Sequence, residues 1–164
     1  MLSVGGGQRM DKHTDNLTQA RQAYAAQDWA TAASHFDAVA ADRLTADNLA
    51  AYADAVWWLG RIEDNLRLNA AACDAFLANS RPVEAARAAM LLGVFHLSLG
   101  DEPQGMGWIG RAGRLLQGVP ECPVHGYLLH ITEVEASLRA GQPAAAMTLH
   151  AGCRTSAAGS TSPI

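Results

Sequence analysis

The chain has 164 residues, 49% of them hydrophobic and only 17% charged, and 33 are alanine against 12 valine plus isoleucine. That length suits one domain or one short repeat array, and the alanine excess with few β-branched residues favours helix, because alanine loses no rotamer freedom there. Sixteen acids against twelve bases, net charge −4, exclude a nucleic-acid domain built on a strongly basic surface.

In chain order, residues 1–13 are Gly-rich and polar and read as a flexible leader. Helical spacing begins at Thr14 and persists to residue 153; residues 154–164 have no period and are expected to be a disordered tail. The first helix carries Leu17, Ala20 and Tyr24 on one face, and after Gln27-Asp28 a second carries Trp29, Ala32, Phe36 and Val39. Thr45 can cap a third helix with Leu49, Tyr52, Val56 and Leu59 inward. Gly60 ends it, and Ile62, Leu66, Cys73 and Phe76 define a fourth. Ser80, with Pro82 in the first turn, opens a fifth with Ala85, Ala88, Leu92, Phe95 and Leu99 inward. Gly100 stops that helix, and Asp101-Glu102-Pro103 reads as a cap with a first-turn proline. The sixth shows Met106, Ile109 and Leu116. After the breaker Gly118–Pro123 a seventh carries Tyr127, Ile131, Val134 and Leu138, and a short eighth begins at Pro143.

The turns at Gln27, Gly60, Gly100 and Gly141 recur at spacings of 33, 40 and 41 residues. Helix pairs at such a period, each helix with one apolar stripe, predict an all-α architecture: an α-solenoid of about four antiparallel hairpins whose stacking shares a continuous core.

The chain resembles the tetratricopeptide (TPR) repeat family. Gln27-Asp28-Trp29 stands at the family's turn, followed by Ala32 and Phe36, with Val39 at the last small position. Leu92-Gly93 stands at its Leu-Gly and Gly100-Asp101 at its turn. The second pair keeps Leu59-Gly60 and Ala72 but has Asn65 where alanine is usual; the fourth keeps Gly141 and Ala146 but puts His150 at the aromatic position. The idiom is also similar to the TPR region of actinobacterial multidomain regulators, those with a LuxR-type helix-turn-helix for transcription regulation or a nucleotide cyclase domain. Neither effector domain is visible in these residues. The resemblance implies a right-handed superhelix whose concave groove displays Arg21, Tyr24, Asp54, Trp57, Met90, Val94, Leu97, Glu135 and Arg139. Trp57 is expected on that concave face and Trp58 nearer the next pair, with burial expected of Trp58 before Trp57. Tyr, Trp, Met and Arg are residue types that anchor interfaces. The Lys and Asn pattern with which some TPR proteins hold a C-terminal carboxylate is missing, so a mixed apolar peptide or helix is the expected ligand.

Chemistry-bearing motifs are sparse. Gly105-Met106-Gly107-Trp108-Ile109-Gly110 satisfies G-x-G-x-x-G, but no strand precedes it and its glycines fall within a helix, where close helix approach explains them better than a dinucleotide. Cys122, His125, His150 and Cys153 form two pairs of zinc-ligand type, a weak metal candidate that requires both pairs to converge. His35 and His96 lie in apolar stretches and read as packed or groove-lining imidazoles. Glu133 and Glu135 fall on different helix faces. The expectation is a module with no catalytic residues and no cofactor, no direct nucleic acid and no membrane partner. It binds a protein or peptide segment, and its C-terminal pair, with little cover, can self-associate. Three cysteines and no secretory signal fit reduced thiols in the cytoplasm.

Overall fold

The computed structural model describes residues 5–142 and 144, with side chains from residue 12 onward. Among the described residues the protein is all-helical, with no strand. Seven α-helices follow in order: α1 (Gly5–Ala25), α2 (Trp29–Asp37), α3 (Ala46–Trp58), α4 (Ile62–Ala78), α5 (Pro82–Ser98), α6 (Glu102–Leu115) and α7 (Pro123–Arg139), with a 3-10 turn at Ala41–Arg43 between α2 and α3. None is long and apolar enough to cross a membrane. Residues 5–13, read from sequence as leader, belong to α1; Gln8, Arg9, Met10 and Lys12 are favourable helix formers and carry the helix upstream of Thr14. The helix expected from Pro143 and the expected tail over 154–164 lie outside the described residues. The chain divides into two compact units, Met1–Leu115 and Leu116–Ile164.

Within the first unit each helix packs against its chain neighbours, and α1 also touches α3. One turn type makes this possible. Gln27, Gly60, Ser80 and Gly100 all adopt positive φ, at 59°, 71°, 56° and 79°. The next residue in each case (Asp28, Arg61, Arg81, Asp101) donates its backbone N–H to a carbonyl five residues back, of Ala23, Val56, Phe76 or His96, at 2.9 Å. This is the Schellman closure, which satisfies the orphan carbonyls of a helix end and reverses the chain within three residues. Gly141 closes α7 in the same way, with Gln142 bonding Ser137. Ser80 therefore ends α4 rather than capping α5, whose N-cap is Arg81 with no side-chain bond. The caps at Thr45 and Asp101 do form, accepting from Asn48 N–H at 3.3 Å and Gln104 N–H at 3.4 Å.

The core of this unit is built from the expected stripes: Ala20, Ala32, Phe36, Val56, Cys73, Ala85 and Leu92 are almost wholly buried, joined by Leu68, which falls outside them. Phe36 stacks on Tyr52 at 5.3 Å, tying α2 to α3. Leu59 and Leu99, expected inward, are 42% and 57% exposed, because each is the last residue before a reversing turn. In α6 the buried side is Gly105, Ile109 and Ala112. In α7 the buried residues are Val124 and Leu128, whereas Tyr127 and Leu138, expected inward, are 56% and 49% exposed. Spacing alone does not choose between these adjacent stripes, since α7 has apolar residues on both.

Two close contacts fix neighbouring helices within the first unit. Gly93 on α5 faces Gly105 on α6: a Cβ on Gly93 would stand 3.0 Å from the Gly105 carbonyl oxygen, and one on Gly105 equally near that of Gly93. At the equivalent place in the preceding hairpin, Asn65 on α4 reaches Ala53 on α3 and donates its side-chain amide to the Ala53 carbonyl at 2.9 Å. A buried polar side chain is tolerated there because it is hydrogen-bonded. Asn69 donates likewise to the Asn65 carbonyl at 3.1 Å.

Candidate functional site

Alternate helices of the first unit line a cleft of about 300 Å3. On α3 the lining residues are Asp47, Ala50, Ala51 and Asp54, and on α5 Glu84, Arg87, Ala88 and Leu91. Both sets follow the i, i+3, i+4, i+7 spacing that places side chains on one helix face. The α4 residues Asn69 and Phe76 lie between these walls, Arg81 stands at the start of α5, and Tyr24 of α1 completes the lining. Alanine at three wall positions leaves the space open.

Electrostatics differ along the cleft. Arg81 crosses it to Asp47 with two hydrogen bonds of 2.7 and 3.0 Å, binds Glu84 at 2.9 Å, and lies 4.7 Å over the Phe76 ring. The Arg81 guanidinium holds the Asp47 carboxyl below the ordinary carboxylate range. Farther along, Tyr24 donates its hydroxyl to Asp54 at 2.8 Å. Burial, reinforced by that hydrogen bond and the Asp54 charge, pushes the Tyr24 phenol up to about 12, so it remains a donor at neutral pH. Beside it Arg21 donates to Asn48 Oδ1 at 3.0 Å.

Of the residues expected to line a groove, Tyr24 and Asp54 share this cleft. Arg21 is exposed on α1 and Val94 is half-buried on α5. Met90, expected at the groove, is 8% exposed and belongs to the core, because α5 packs against both α4 and α6 and retains little free surface. Leu97 is engaged with α6, its Cγ 2.6 Å from where a Gly105 Cβ would stand. Trp57 is 36% exposed and stacks on Phe95 at 4.3 Å, towards the next pair. Trp58 is the more exposed of the two, at 65%, and stacks at 6.0 Å on Trp29, which itself meets Tyr24 edge-on at 5.6 Å. The expectation for these tryptophans is thus reversed: Trp58 turns back towards the preceding pair and is not buried. Glu135, half-buried, and Arg139, exposed, belong to the second unit. Arg81, Glu84 and Arg87 were missed because nothing in a charged residue on an alanine-rich helix marks it as groove-facing until the register of α3 against α5 is known.

Cys122 and His125 do meet, Sγ to Nδ1 at 3.3 Å, while the Cys122 backbone N–H donates to the same nitrogen at 3.2 Å. Together they cap α7. His150 and Cys153 lie outside the described residues, and among the described residues no three potential ligands converge. The G-x-G-x-x-G glycines sit inside α6, where their amides serve the helix; Gly105 meets α5, whereas a Cβ on Gly107 would meet nothing within 4 Å. His35 contacts Asn16 Oδ1 at 3.3 Å and His96 contacts Asp101 at 3.3 Å. Each imidazole is thereby engaged in local structure.

No protein-family model, curated protein or solved structure matches this chain.

Proposed function

We propose that the chain is a TPR-like α-solenoid and a non-catalytic protein-interaction module, holding a peptide or helix of a partner against the face formed by α1, α3 and α5. The cleft carries this reading: its lining comes from α1, α3 and α5 with α4 between, the pattern expected when successive hairpins stack in register. Tyr24 in the lining supports it, since a rigid aromatic contributes contact area at low entropy cost. A photo-crosslinking residue placed at Ala51, in the cleft, tests the reading against one placed at Arg67 on α4. Peptide partners trapped from Ala51 and not from Arg67 support it; equal trapping at both, or loss of partner capture on Trp57→Ala only where helicity also collapses, counts against it.

A second reading is the sensor or assembly region of a LuxR-type regulator or cyclase, associating through its C-terminal part. Exposure of Tyr127, Leu129 and Leu138 on α7 favours it, because large apolar side chains left in water mark contact surfaces. Sedimentation separates the two: a dimer dissociated by Leu129→Glu supports assembly, and a monomer at tens of micromolar, on the order of weak protein interfaces, opposes it.

A further inference from the structure

The α3–α5 cleft is closed at one end and unfinished at the other. Asp47 on α3 and Arg81 at the start of α5 form an ion pair across it, 2.7 Å apart. Two turns along α3 stands Asp54, and nearly two turns along α5 stands Arg87, again an acid on one wall and a base on the other. These two do not join. Asp54 accepts only the neutral Tyr24 hydroxyl, and Arg87, exposed at the cleft, makes no hydrogen bond or ion pair among the described residues. Of the other charged lining residues, Asp47 and Glu84 share the single guanidinium of Arg81, which leaves that end of the cleft with one net negative charge. The unpaired charges therefore sit on opposite walls, beyond ion-pairing distance, with Ala51, Ala88 and Leu91 lining the same space.

We propose that this end of the cleft is a site for a small zwitterion, an amino-acid-like molecule whose ammonium pairs with Asp54 and whose carboxylate pairs with Arg87. Such a molecule completes the second cross-cleft ion pair by standing between its halves, and its side chain takes the alanine-lined space. The whole cleft holds about 300 Å3, at the small end of ligand sites, so the part beyond the Asp47–Arg81 pair has room for one small molecule. A planar guanidinium matches a carboxylate with two parallel hydrogen bonds. Tyr24 acts as a positioning residue: its hydroxyl fixes one oxygen of Asp54 and leaves the other for the ammonium.

The site does not depend on the protein-partner reading, and its test is separate. Calorimetric titration of the full chain with L-leucine, N-acetyl-L-leucine and L-leucinamide compares the zwitterion with analogues lacking its cation or its anion. Leucine is expected to bind saturably, and each blocked analogue at least about tenfold more weakly, the scale of one lost charge-assisted contact. Arg87→Gln should erase the preference for leucine over leucinamide, and Asp54→Asn the preference over N-acetyl-leucine. Absence of saturable leucine binding, equal binding of the three compounds, or unchanged preferences in both variants overturns the site.

Discussion

Gly93 and Gly105 meet across α5 and α6 with no room for a side chain on either. A Cβ on Gly93 would also lie 2.6 Å from Ile109 Cδ1, and one on Gly105 2.6 Å from Leu97 Cγ. Gly93→Ala and Gly105→Ala should each destabilise by about 1–3 kcal/mol, the usual penalty for overpacking. Gly107→Ala on the same helix meets nothing and should stabilise by about 0.5–1 kcal/mol through helix propensity. Urea unfolding of the three variants checks both signs together.

The αL turns give an independent pair. Gly60 has open space around its Cα, so the cost of Gly60→Ala is the left-handed backbone alone, about 1 kcal/mol of destabilisation. Ser80 holds the same conformation with a side chain, at φ 56°. Ser80→Gly should therefore raise stability, by up to about 1 kcal/mol. A drop in the urea midpoint for Ser80→Gly would mean that its side chain contributes more than the strain costs.

Stability should fall at both ends of the pH range. Tyr24 and Tyr52 are pushed up from 10.0 to about 12, first by burial and then by hydrogen bonds to Asp54 and Asp37. A raised folded value stabilises fully below pH 10 and is lost as pH climbs towards 12. Asp37, Asp47 and Asp64 are lowered, chiefly by hydrogen bonds from Arg61, Arg81 and Arg67, so their contribution is present above pH 3.8 and lost as pH falls through the folded values. Denaturation across alkaline pH should show a shallower decline for Tyr52→Phe than for the native chain. Asp37→Asn should flatten the acid limb by under about 1 kcal/mol, since its side chain is half exposed.

Thiol chemistry should separate the cysteines. Cys73 is fully buried and burial raises its thiol, so a disulfide reagent should modify it only on unfolding. Cys122 is partly exposed and should react in the native state. Following the native reaction of Cys73→Ser and Cys122→Ser variants, each made in a Cys153→Ser background, decides this: loss of the fast phase in Cys73→Ser would overturn the assignment.

Most helices of the first unit were legible because periodicity and punctuation agree there: Thr45 and Asp101 cap where their side chains predict, and Gly60 and Gly100 end the helices before them. Ser80 was misread since a serine before Arg-Pro fits a helix start as well as an end, and only the bond from Arg81 to Phe76 distinguishes them. Leu59 and Leu99 show that the stripe loses meaning in the last residue before a reversal. The cleft was half legible. Tyr24 and Asp54, both picked out by the repeat register, line it together, whereas Arg87 gains significance only through the missing counter-charge, a property of two helices together. The order of Trp57 and Trp58 was lost because adjacent residues differ by about 100° on a helix, less than the uncertainty in register.

Each reversing turn draws its backbone donors and acceptors from its own few residues. Duplicating or excising a segment at such a boundary leaves the backbone hydrogen bonds of the flanking turns intact. This self-sufficiency lets each reversal form as soon as its own short stretch of chain is in place, whatever helix follows it.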